Sequence, residues 1–357
     1  MRATIDGEVL SEALKRTASV ANSRVLLALN CVLIETGDKS VTLTGGNGDT
    51  FVRTTVEAVV DVPGKILVPA KTAAKTVSLM SGNVAVEAHD KSVELSTLWS
   101  NVSLNTGETD KYPTFPEPDG DSWIDVTEFW GILPLITYAS DTSNHQPARR
   151  RSVTFFKGYA EAFDGNRLAR CVGPEIESAL LRTTVEHATK HLSGTIEMNA
   201  TEAGAWFRDS NDTELWSTVP QFERMPLPEP PLGPHAIVVD RRGLIEGISL
   251  MQVVKDREEV PVRMDLVGDI LYLTARSEDG DNVTTQVEAQ GTLGWASGLT
   301  ASHARDAFTR CASDEITLQF GESQNKPIKV TDGKVTHLLA PNMVAVKENP
   351  HPTGGES

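Results

Sequence analysis

The stretch Asp164-Gly165-Asn166-Arg167-Leu168-Ala169 decides how the chain is read. Asp, Gly and Asn in succession mark a turn, and the apolar runs Val153–Phe156 and Tyr159–Phe163 lead into it as strands. Working outward, a helical stretch over Val126–Ala139, interrupted by Pro134, precedes those strands. A helix near Thr183–Leu192 and strands over Gly194–Asn199 and Glu214–Thr218 follow them. The same order occurs on both sides. In the N-terminal third a helix from Asp6 to about Ala21 carries Leu10, Ala13, Leu14, Ala18 and Ala21 on one face, with Asp6 as its cap. Strands follow over Leu26–Ile34, Val41–Thr44 and Phe51–Val56, broken by Gly45-Gly46-Asn47-Gly48, and then Lys65–Pro69 and a helix over Ala70–Met80. The C-terminal third reads as a helix near Asp240–Val254, strands Val262–Val267 and Asp269–Ala275, the turn Ser277–Asn282, a helix near Thr300–Cys311 and three closing strands. One order of elements therefore occurs three times, with a period of about 115 residues. Proline clusters at 113–118 and 220–234 separate the repeats.

The chain has 357 residues, a length that suits two or three domains with a core of their own. Its net charge of −16 argues against a surface that is basic throughout, although the total says nothing of how charge is distributed. Hydrophobic content of 39% and charged content of 23% describe a globular chain. No apolar run is long enough for a membrane helix, and Met1–Asp6 lacks a signal-peptide core, so a cytoplasmic location is expected. Cys31, Cys171 and Cys311 have unrelated contexts and read as three reduced, mostly buried thiols.

Tests for catalytic chemistry return nothing. His187 and His191 stand one helical turn apart, but Ala188 replaces the Glu of a His-Glu-x-x-His zinc motif. The Gly45–Gly48 run lacks the Lys-Ser/Thr of a phosphate-binding loop. The acidic pairs Glu258-Glu259 and Asp279/Asp281 flank turns without an apolar pocket to raise a carboxyl pKa. No catalytic residue, metal or cofactor is expected.

Taken together, the stretches resemble a known family, the bacterial sliding clamp or beta subunit of DNA polymerase III. Residues 164–169 match its signature Asp-Gly-His-Arg-Leu-Ala at all but one position. Arg24 with Leu26–Glu35, Gly64–Lys71, Val102–Thr106 with Tyr112-Pro113, Val219–Met225, and Pro327–Val330 with His337–Pro341 are similar to other family segments in order and spacing. The resemblance implies an α+β chain of three tandem sliding-clamp domains, each with two helices and antiparallel sheets. Two such chains would close into a six-domain ring around duplex DNA. The domains would span residues 1–118, 119–228 and 229–345, with 346–357 a disordered tail. The missing prolines in Arg24–Cys31, the short second domain and the tail suggest a divergent, phage-encoded or secondary clamp.

The resemblance also implies sites and partners. Helices would line the ring, and DNA would meet Arg24, Lys71, Lys75, Arg149, Arg150, Arg151, Lys190, Arg241, Arg242 and Arg305, with Lys15, Arg16, Arg182 and Arg310 as further candidates. A solvated surface charge is the plain alternative for each. A peptide pocket would use Val153, Phe163, Gly165, Leu168, Pro220, Phe222, Arg224, Met225, Leu338, Ala340 and Pro341. It would take motifs carrying Gln, Leu and Phe from a replicative polymerase, the clamp loader, and repair or translesion polymerases. Phe163 and Ala340 stand where the family usually has Thr and Met. The homodimer interface would join Val102 and Leu104 to Val253 and Val254, with Lys71 and Lys75 near Glu278, Asp279 or Asp281. Such a chain is a processivity factor and not an enzyme. The rival readings are a tandem-domain α+β enzyme with unrecognised catalytic groups and a repeated-domain virion protein.

Overall fold

The computed structural model describes residues 1–118, 120–253, 259–277, 280–343 and 345. The expectations for Val254, Glu278, Asp279 and the tail 346–357 lie outside the described residues. The chain forms two compact units, one of residues 1–131 and 178–221, the other of 132–177 and 222–357.

The first unit holds two antiparallel sheets. One has five strands in the order Val59–Val62, Arg2–Asp6, Asn83–Ala88, Ser92–Ser96 and Asn101–Asn105. The other has eight, in the order Ile124–Asp125, Ile196–Ala200, Gly204–Asp209, Thr213–Thr218, Thr50–Glu57, Ser40–Gly46, Cys31–Thr36 and Lys65–Pro69. Thr213–Thr218 pairs with Thr50–Glu57, with Leu215 opposite Val52, so strands from two sequence repeats share one sheet.

Helix α1 (Gly7–Val20) begins as its sequence dictates: the Asp6 carboxylate accepts from the backbone N–H groups of Glu8 at 3.0 Å and Val9 at 3.1 Å. Its buried face is Leu10, Ala13, Leu14, Thr17 and Val20. Leu10, Ala13 and Leu14 of that face join Ala70, Ala73 and Val77 of helix α2 (Ala70–Val77) and the alternating strand residues Val32, Ile34, Val41 and Leu43 in one core. Gly45 lets α1 lie directly on the sheet, because a Cβ there would stand 2.0 Å from the Thr17 carbonyl oxygen.

Leu26–Ile34 and Val126–Ala139 are among the stretches that differ from their sequence reading. Leu26–Ile34 is not one strand: a 3-10 turn over Leu27–Asn30 precedes the strand Cys31–Thr36. Ser23 and Asn30 close this loop. The Asn30 amide bonds both the N–H and the carbonyl of Ser23 at 3.0 Å, and the Ser23 hydroxyl accepts from Val25 and Leu26. Val25 and Leu27 are left 96% and 77% exposed, so an apolar run here does not mean a buried strand. The second stretch, Val126–Ala139, is split into α3 (Thr127–Trp130) and α4 (Leu133–Thr137), where Pro134 occupies the first turn of α4. Helix α5 (Arg182–His191) completes the first unit. The strand Gly204–Asp209 has no counterpart in the sequence reading.

The second unit is built on a ten-stranded antiparallel sheet, ordered Ser152–Phe163, Arg167–Leu181, Val335–Leu339, Ile328–Asp332, Glu315–Gly321, Leu232–Asp240, Asn282–Gly291, Ile270–Arg276, Pro261–Val267 and Ser297–Thr300. Residues 178–181 of its second strand fall in the first unit. Arg167 stands opposite Leu339 and Cys171 opposite Val335, again joining strands far apart in sequence. Helices α6 (Arg241–Met251), capped by Asp240, and α7 (Ala301–Phe308) pack together. Burial pushes the Cys171 and Cys311 thiols up to about 12, and also raises that of half-buried Cys31. No helix among the described residues is long and apolar enough to cross a membrane.

Overpacking a close contact typically costs about 1–3 kcal/mol. Gly45→Ala is therefore expected to destabilise the chain by about that amount in urea unfolding. Gly131→Ala, which meets nothing within 4 Å, should change stability by less than about 0.5 kcal/mol.

Candidate functional site

The turn that opened the sequence reading forms one wall of an apolar cavity in the second unit. The Asp164 carboxylate accepts from the N–H groups of Asn166 at 2.9 Å and Arg167 at 3.0 Å, and Gly165 between them has φ +110°. Arg167 is fixed twice, donating to Asp164 Oδ2 and to Asp306 Oδ2, both at 2.7 Å. The Asn166 carbonyl accepts from Ala340 N–H at 2.8 Å, which ties the C-terminal strand end to the turn. Leu168 and Leu338 face each other across the ladder.

The cavity is about 250 Å³. Phe163, Gly165, Asn166, Arg167 and Leu168 contribute from the hairpin, and Leu338 and Ala340 from the C-terminal strand. Leu227, Pro228, Pro230 and Pro327 complete it. Five residues of the sequence reading thus meet here: Phe163, Gly165, Leu168, Leu338 and Ala340. Val153, Phe222, Arg224, Met225 and Pro341 do not line this cavity, and Pro220 belongs to the first unit. The proline-rich wall after Met225 was legible only as a linker, because a Pro run shows extended chain but not what it packs on.

Beneath the turn lies a buried polar cluster. Tyr138 Oη is 2.8 Å from His337 Nδ1, and the Arg310 guanidinium lies 4.3 Å above the Tyr138 ring. His337 is fully buried, and its Nε2 has no hydrogen-bond partner. Burial, reinforced by the Arg310 charge, lowers its pKa to about 4, so the imidazole is neutral near pH 7. Arg310 thus contributes to this cluster, with 29% of its side chain still exposed.

The basic candidates are spread over both units. In the first, Arg24, Lys15, Lys71, Lys75 and Lys190 are exposed. Arg16 donates to Thr213 Oγ1 at 3.1 Å, and Arg182 pairs with Glu186 at 2.8 Å. In the second, Arg149 donates to the Met225 carbonyl at 2.5 Å, and Arg150 to Gln146 at 3.4 Å. Arg151 is half-buried in the same 3-10 turn, Ala148–Arg151. Arg241 donates to the Ser313 carbonyl at 2.8 Å, Arg242 pairs with Glu246 at 3.1 Å, and exposed Arg305 donates to Gln252. Several of these cations are thus bound locally, which the sequence could not show.

Val102 and Leu104 lie half-buried on Asn101–Asn105, an edge strand of the five-stranded sheet, and Val253 is 73% exposed. His187 and His191 stack ring on ring at 6.3 Å, and His191 Nε2 is 2.7 Å from Ser19 Oγ. Burial, then His187, lowers the His191 pKa to about 4. Among the described residues no three His, Cys, Asp or Glu side chains gather as metal ligands.

Residues 1–116 match the family model of the DNA polymerase III beta subunit, N-terminal domain. No curated protein matches the chain. Among solved structures, the DNA polymerase III subunit beta of Pseudomonas aeruginosa is similar with a TM-score of 0.87 at 18% identity, covering 96% of this chain and 100% of that one. The sliding clamp of Bacillus subtilis gives 0.86 at 17% identity, covering 96% and 99%. The pol III beta of Caulobacter crescentus gives 0.86 at 20%, covering 96% and 100%. The chain has the sliding-clamp fold, and the resemblance read from its sequence is borne out.

A histidine whose pKa falls on folding leaves the unfolded state holding more protons, so stability drops as pH falls from about 6.5 towards 4. For His337 the expected loss is on the order of 3 kcal/mol across that window. His337→Gln should reduce the pH dependence of urea-unfolding stability between pH 7 and 4.5, leaving the share carried by His191. An unchanged slope would show that His337 is not the group responsible.

Proposed function

We propose that this chain is a DNA polymerase processivity factor: a ring-shaped homodimeric clamp that encircles duplex DNA and tethers polymerase through a peptide pocket. The observation that carries this reading is the apolar cavity formed by the Asp164–Ala169 turn and the strand ending at Leu339, in a chain whose first 116 residues match the beta-subunit family model. Topological linkage makes an acidic chain compatible with DNA. A closed ring is retained without a strongly cationic surface, and many phosphate contacts would oppose sliding. Arg24, Lys71, Lys75 and Lys190 are the exposed cations best suited to transient phosphate contact. The edge strand Asn101–Asn105 suits pairing with a second copy through Val102 and Leu104, with Val253 as the partner surface. Domain boundaries near residues 118 and 228 follow the two proline clusters. The clamp loader, repair and translesion polymerases and a place at the nucleoid follow from the same reading. No catalytic role is assigned.

The test is retention on nicked circular and linear duplex after loading by a compatible clamp loader. The chain should stay on circles and leave linear DNA through its free ends. Equal retention on both would identify ordinary electrostatic binding and overturn the reading. Leu168→Ala should weaken a labelled peptide carrying Gln, Leu and Phe by about tenfold, read by fluorescence anisotropy.

A further inference from the structure

We infer that Glu161 and Arg170 are positioning residues that hold the proline-rich wall of this cavity in its binding-competent place; the inference rests on reading the cavity as a peptide site. Neither residue lines the cavity. The wall they hold is Pro226-Leu227-Pro228-Glu229-Pro230-Pro231. Its prolines have no N–H, so the segment cannot ladder onto a sheet in the ordinary way. Leu227 and Glu229 are the exceptions, and both backbone groups of Leu227 are taken by side chains. Its N–H donates to Glu161 Oε1 at 3.2 Å, and its carbonyl accepts from Arg170 Nη2 at 2.7 Å. The two side chains stand in for the neighbouring strand that prolines deny the segment.

The clasp is internally complete. Glu161 is only 4% exposed, and its other oxygen accepts the Arg170 fork at 3.3 and 2.7 Å. A buried carboxylate is tolerable only when paired and hydrogen-bonded in this way. The pair therefore needs the Leu227 N–H as much as Leu227 needs the pair. Upstream, Arg149 holds the Met225 carbonyl at 2.5 Å. Downstream, the Glu229 carboxylate lies 3.7 Å from Arg170 and 3.8 Å from Lys329. Gripped at 225, 227 and 229, the segment presents Leu227, Pro228 and Pro230 to the cavity. A wall fixed before ligand arrives spares the complex the entropy of ordering it.

The clean variant is Glu161→Leu with Arg170→Met, which removes both charges without leaving either buried alone. On the full chain, amide exchange at Leu227 and the Kd of the labelled peptide carrying Gln, Leu and Phe should each rise about tenfold, with the thermal midpoint largely kept. Arg170→Lys keeps the charge but not the fork that spans Glu161 and Leu227, and should fall between; it decides the matter alone if the double variant does not fold. Exchange and Kd both within about twofold of the unaltered chain would overturn the inference. Faster exchange with unchanged Kd would overturn it too, since the clasp would then not shape the pocket. Failure of the unaltered chain to bind the peptide would refute the peptide reading, whereas slow exchange at Leu227 lost in the variants would still establish the clasp.

Discussion

Antiparallel pairing between strands distant in sequence is the constraint on which the rest depends. A sheet whose last strand has no neighbour exposes a row of unpaired N–H and carbonyl groups. Here Thr213–Thr218 supplies the neighbour for Thr50–Glu57, and Val335–Leu339 supplies it for the start of Arg167–Leu181. Both junctions place a turn beside the added strand. In the second unit that turn, with its Asp164 bonds and Gly165 at positive φ, becomes the wall of a cavity. The site is thus a by-product of how one repeat finishes the sheet of another.

The linkers that make these junctions reachable are held by arginines in both units. After the first repeat, Arg53 pairs with Glu117 at 2.7 Å and stacks on Phe115 at 4.1 Å, while Trp206 Nε1 donates to the Pro116 carbonyl at 2.8 Å. After the second, Arg149 and Arg170 take the carbonyls of Met225 and Leu227. Proline removes the donors a linker would use to pair with a sheet, and its carbonyls remain as acceptors. A guanidinium fork, with several donors in a plane, suits such a chain better than an ammonium does.

What the sequence shows and hides follows from the range of the interactions. Helix α1 is legible because Asp6 and the Leu10–Leu14 stripe act within a few residues of one another. The break at Pro134 is legible for the same reason. The Asp164–Ala169 turn carries its own chemistry and points to both fold and cavity. The loop at Ser23–Asn30 misleads because an apolar run is overruled by polar side-chain bonds that composition does not reveal. The roles of Arg149, Arg170 and Arg310 are hidden altogether. Each is decided by a partner far away in sequence, so a basic residue on a predicted helix or loop reads as surface charge until its partner is in view.

The buried thiols have a practical side. Cys171 and Cys311, held near 12, present almost no thiolate at neutral pH, and half-buried Cys31 is shifted the same way. Maleimide and iodoacetamide react through the thiolate, so Cys171 and Cys311 react slowly with them, and burial shifts Cys31 in the same direction. A cysteine placed at an exposed position, such as Val59 on the edge of the five-stranded sheet, would be the dominant reactive thiol. Single-site fluorophores and crosslinkers can therefore be attached with Cys171 and Cys311 left in place.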